Sequence, residues 1–79
     1  MTRENSEEHM KYHEALGERA YSMMYDAFSS TAAAGHYSDA KESFAEAIRF
    51  AREAGRADEA AGLEQRLEHI KSVFRSQFS

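Results

Sequence analysis

The sequence has no cysteine, no proline and no tryptophan, and only four glycines among 79 residues. Without cysteine there is no disulfide staple and no thiolate metal site, so so short a chain must be held by packing alone. Without proline, collagen-like and proline-rich classes are excluded, and few points remain at which a helix must stop. No apolar run approaches the about 18 residues of a membrane span, and the opening residues carry no apolar signal-peptide core. Basic residues are the minority, ten against fourteen acidic, for a formal charge of −4. A general nucleic-acid binder needs a basic face for phosphate contacts, so that class is set aside. With 42% hydrophobic and 30% charged residues the composition is not that of a disordered chain. The expectation is one small, soluble, cytoplasmic domain over residues 1–79, with no nucleic-acid and no membrane partner.

What is present is helical. Fourteen alanines and many other strong helix formers fill the chain, and no segment alternates with period two for long enough to suggest a strand. Two glycines sit in near-copies of one junction, Ala34-Gly35-His36-Tyr37-Ser38-Asp39-Ala40 and Ala54-Gly55-Arg56-Ala57-Asp58-Glu59-Ala60. Each reads as a helix C-terminus followed by a new start, with Ser38 as a cap and Asp39, Asp58 and Glu59 near positive helix ends. The spacing predicts three helices, roughly 6–34, 38–54 and 58–77, in an all-α antiparallel three-helix bundle with a long first helix.

The predicted second helix carries Tyr37, Ala40, Phe44, Ala47, Ile48 and Ala51 on one face. The third carries Ala60, Leu63, Leu67, Ile70 and Phe74 in a 3-4-3-4 seam. The first is broader: Met10, His13, Leu16, Ala20, Met24, Ala27 and Thr31 form one stripe, with Tyr21, Tyr25, Phe28 and Ala32 beside it. A helix over 6–34 would run about 43 Å and one over 38–54 about 25 Å. The overhang would leave Met10, Tyr12, His13 and Leu16 uncovered. Either the first helix breaks near Gly17 and folds back, or a second copy covers it, or its end frays. Those four residues are therefore the candidate self-association surface of a homodimer.

Gly35, Tyr37, Ala40, Phe44 and Ala47 match the turn and second helix of a known helical motif, and the chain around them resembles a tetratricopeptide repeat. The resemblance spans about 34 residues, Tyr21 to Ala54. It departs from the pattern at Met24, Ala27, Phe28 and Thr31, where Trp, Leu, Gly and Tyr are favoured, and at Arg52, which replaces the closing Pro. The same Gly35-to-Ala40 pattern is also similar to the first junction of the microtubule-interacting-and-trafficking domain, a three-helix bundle of like length. Both resemblances imply protein binding without chemistry. For the repeat they place a partner on the inner face of its first helix, here Ser22, Tyr25, Asp26, Ser29 and Ala33, none of them basic. A clamp for a C-terminal carboxylate is thereby rejected, and an apolar or basic segment fits better. The candidate partner-binding residues are Tyr21, Tyr25, Asp26 and Ser29.

Chemistry-bearing patterns are sparse. His9 and His13 lie four apart and share a helix face, a spacing able to hold a divalent metal with Glu8 or Glu14, and a metal-responsive regulator is the competing reading. Two such ligands make a weak site, and His13-Glu14-Ala15-Leu16-Gly17 lacks the second histidine of a metalloprotease. No metal site and no cofactor is assigned. His36 reads as a turn residue completing a cap, and His69 as a surface or boundary residue. The serines have no patterned His-Asp partner and no glycine-rich loop follows a strand, so no catalytic residue is assigned and an enzyme is not expected.

Charge is uneven. Residues 1–34 carry −3 and residues 65–79 carry +2, an asymmetry that would orient self-association. Phe50 points about 120° from Phe44 on the helical wheel, and packs on the third helix or marks a partner surface. The function expected is that of a small protein-interaction adaptor, self-associating through its first helix.

Overall fold

The computed structural model describes the backbone of residues 3–78 and the side chains of residues 5–78. Three α-helices account for nearly all of it: α1 (Arg3–Tyr25), α2 (Ser30–Glu53) and α3 (Ala57–Phe78). They lie side by side in a rod of 41 × 17 × 13 Å. The all-α three-helix bundle with a long first helix, here 23 residues, is what the structure shows.

The first reversal is not at Gly35. The chain leaves α1 after Tyr25 and re-enters helix at Ser30, and α2 runs unbroken through Gly35. Serine chemistry decides this. Ser29 adopts extended backbone (φ −146°, ψ 158°), and its Oγ accepts the Ala32 backbone N–H at 3.1 Å. A hydroxyl in that position satisfies one of the orphan donors of a helix start. Gly35 costs a helix interior about 1 kcal/mol relative to Ala, a penalty its neighbours Ala32, Ala33 and Ala34 readily offset. Three helices of 23, 24 and 22 residues result. The overhang expected of a 6–34 helix is absent, and the glycine junction that carries both family resemblances lies inside a helix.

The second reversal is at Gly55 as expected. Gly55 takes φ 74°, a conformation natural to glycine. Its N–H donates to Arg52 O at 3.0 Å and the Arg56 N–H to Ala51 O at 2.8 Å, closing the end of α2 with a Schellman motif.

The larger helix contact is between α1 and α2. Its seam on α1 runs Ser6, Met10, His13, Gly17, Ala20, Met24, and it meets Ala33, Ala40, Phe44, Ala47 and Ala51 of α2 in the core. Gly17 replaces Leu16 in this seam for a steric reason. A Cβ on Gly17 would stand 2.6 Å from Cδ2 and Cε2 of Phe44, whose ring is fully buried. Glycine and alanine thus let two backbones approach around one aromatic ring, and α1 stays helical through Gly17. On the other flank α2 meets α3 through Ile48, Leu63 and Ile70, and the seams expected for both helices are present. Tyr37 stacks on Phe74 at 4.1 Å and 7°, and Phe78 lies tilted beside Phe74 at 5.7 Å and 32°.

Candidate partner-binding face

At 100° per residue, the side chains of α1 sort into three strips. The Met10–Gly17–Met24 seam faces α2. On one flank lie Glu7, Glu18 and Tyr21, which meet α3 and the turn before it: Arg66 of α3 donates two hydrogen bonds of 2.8 Å to the Glu18 carboxylate, and Arg56 of the turn donates to Glu7 at 3.1 Å. The Arg66 guanidinium also lies 4.9 Å over the Tyr21 ring. On the opposite flank, about 100° from the seam, lie Tyr12, Leu16 and Met23. All three are exposed, Tyr12 to 60%, Met23 to 45% and Leu16 to 37%.

Between that strip and α2 runs a shallow groove in two connected parts of about 380 and 370 Å³ that share Leu16, Glu42 and Ser43. Met23, Arg19, His36 and Asp39 line one end, and His13 and Glu46 the other. Asp39, Glu42 and Glu46 recur at steps of three and four, so their carboxylates form one rim along α2. The Glu46 carboxyl is held below the usual carboxylate range, chiefly by the hydrogen bond from Arg49 at 2.8 Å. Arg49 also donates to Glu53 at 2.9 Å, and its hydrogen bond to Glu46 makes the Arg49 guanidinium hold its proton more tightly than usual. Asp39 and Glu42 are exposed and take part in no ion pair among the described residues.

The residues singled out in the sequence are dispersed. Of the partner-binding set, Ser29 is the cap of α2, Tyr21 is half-buried beneath Arg66 and edge-on to His69 at 6.3 Å, and only Tyr25 and Asp26 are exposed. Ala33, on the same inferred face, is fully buried in the core. The α1 break at Asp26 keeps these positions from forming one continuous helical face. Of the self-association set, Met10 is 1% exposed inside the chain's own core, because without an overhang α2 covers it. His13 is half-buried, while Tyr12 and Leu16 are exposed.

His9 and His13 both stack on Phe50, at 5.0 and 5.6 Å between ring centroids. Phe50 is therefore buried against α1 and is not an exposed partner surface, with the Arg49 guanidinium 4.3 Å over its ring. Among the described residues no group of three His, Cys, Asp or Glu side chains is placed to hold a metal ion. His36 lies within α2 at the groove, not in a turn.

Two features escaped sequence reasoning. Phe28, expected beside the first-helix stripe, stands 95% exposed in the α1–α2 turn, and the Ser29-Ser30-Thr31 run was the signal that could have placed it outside a helix. The Arg66–Glu18 pair shows that the basic end of the chain meets the acidic first helix within one molecule, and the Arg56–Glu7 pair adds a link from the turn before α3. Among the described residues no helix is long and apolar enough to cross a membrane. Comparison with protein-family models, with curated proteins and with solved structures gives no match to this chain.

Proposed function

We propose that this chain is a non-enzymatic protein-interaction module, a small adaptor that engages its partner through the outer face of α1. One observation carries the reading. The large apolar side chains left exposed among the described residues are Tyr12, Leu16, Met23, Tyr25 and Phe28, and every one lies on α1 or the turn that follows it. Isolated exposed apolar residues are ordinary, but their confinement to one helix out of three is the pattern of a surface that is covered in use. Tyr12, Leu16 and Met23 also sit on a rigid helix locked to α2, which lowers the ordering cost of binding.

The test is affinity capture from the native host with the wild-type chain and with a Leu16→Asp/Met23→Asp variant, each checked for native helix content by circular dichroism. Proteins retained by the wild type and lost by the variant support the reading. Identical retention by both would remove it.

A further inference from the structure

We infer that the α1–α2 groove receives a basic, amphipathic α-helix of a protein partner. Its apolar side chains would rest on Tyr12, Leu16 and Met23, and its Lys or Arg side chains would meet Asp39 and Glu42. The inference rests on the face proposed above and adds the chemistry of what binds there.

The length fits. Tyr12 to Met23 covers about 16 Å along α1, the length of three helical turns. A helix laid in this groove presents side chains at i, i+4, i+7 and i+11 to the apolar strip. One flank of such a helix then faces the carboxylate rim of α2. Arg19 is the sole Lys or Arg lining the groove, against Asp39, Glu42 and Glu46, so the local field is negative. Glu46 already has Arg49, whereas Asp39 and Glu42 have no cation of their own among the described residues. Complementary charge at a rim of this kind steers encounter and fixes the register of docking more than it adds affinity.

A second copy of the chain suits this groove less well. Among the described residues α2 and α3 expose no large apolar side chain to offer it. Groove-to-groove pairing about a two-fold axis sets carboxylate rim against carboxylate rim when the helices run antiparallel, and rim against apolar strip when they run parallel. An anionic lipid surface is disfavoured by the same rim.

The experiment is fluorescence anisotropy on the full-length chain with a labelled helical peptide of about 14 residues, three to four turns long. It carries leucine at i, i+4, i+7 and i+11 and lysine along one flank; a second peptide has glutamate in place of the lysines. The lysine peptide is expected to bind, and to weaken as salt rises. Asp39→Lys/Glu42→Lys should weaken it about tenfold or more, as should Leu16→Asp, whereas the equal charge change Glu64→Lys/Glu68→Lys on α3 should leave affinity within about threefold. Equal losses from the two lysine doubles, equal binding of the glutamate peptide, or no binding of the lysine peptide would each overturn the proposal. So would a dimer seen by light scattering that Leu16→Asp splits, since the occupant is then a second copy. If peptide binding fails while host capture still depends on Leu16 and Met23, the occupant is wrong and the reading of the face survives.

Discussion

Replacing Gly17 by alanine opposes two known effects, and the structure states which should win. Removing a glycine from a helix interior ordinarily stabilises by about 0.5–1 kcal/mol, because the unfolded chain loses freedom. At Gly17, however, the added methyl would meet two ring carbons of Phe44 at 2.6 Å and a third at 3.3 Å. That ring is fully buried, so it has no open solvent to swing into and can yield only by displacing packed neighbours. Overpacking of this kind costs about 1–3 kcal/mol, which at the middle of the two ranges leaves Gly17→Ala destabilised by about 1 kcal/mol, or roughly 4–8 °C in Tm for a domain this small. Gly35→Ala is the matched control: it is helical and exposed, and nothing lies within 4 Å of its added Cβ. It should raise Tm by about 4 °C. Thermal melts followed at 222 nm on both variants decide the matter. A Phe44→Leu change on top of Gly17→Ala should cost less than it does alone, since the smaller side chain relieves the clash. If Gly17→Ala raises Tm as Gly35→Ala does, the close approach of α1 and α2 around Phe44 is wrong.

Ser29→Ala removes the hydroxyl that caps α2 and should cost about 1 kcal/mol in urea unfolding, whereas Ser30→Ala, just inside the helix, should cost little. A double-mutant cycle on Glu18 and Arg66 should return a coupling of about 0.5–1 kcal/mol that shrinks in high salt, since both partners are 40% exposed. Arg66→Lys should recover only part of it, because the paired contact needs a planar fork. Glu46, whose carboxyl is depressed in the folded chain by Arg49, binds protons more readily when unfolded. Its contribution is thus present above the ordinary carboxylate range and lost as pH falls through the folded value. Wild type should exceed Glu46→Gln in Tm at about pH 6, and the gap should narrow as pH is lowered through and below the carboxylate range.

Where apolar periodicity and backbone need agreed, the sequence was readable. The 3-4 spacing of Ala40, Phe44, Ala47 and Ala51 marks the buried side of α2, and that of Ala60, Leu63 and Ile70 marks α3. Gly55 was identifiable as an end because Asp58 and Glu59 follow it as a helix start. Gly35 had the same look but is only a tolerated helix residue, and the hydroxyl run beginning at Ser29 outweighed it. Leu16 and Gly17 exchanged roles for a related reason. Hydrophobicity alone puts leucine inside, yet the ring of Phe44 needs the position without a side chain, which turns Leu16 outward. That inversion is what makes the outer strip of α1 apolar, so the same local fact explains both the misplaced seam and the candidate face. Phe50 showed a second limit: a helical wheel gives its direction but not that His9 and His13 wait there to stack on it.

The ring of Phe44 in the gap at Gly17 also acts as a key in a slot. Sliding α1 along α2 by one turn would bring that ring opposite His13 or Ala20, both of which carry a Cβ where the slot has none. The two rods are therefore pinned lengthwise, and Leu16 stays level with Glu42. A visiting helix meets a ruler whose greasy and charged marks cannot drift apart.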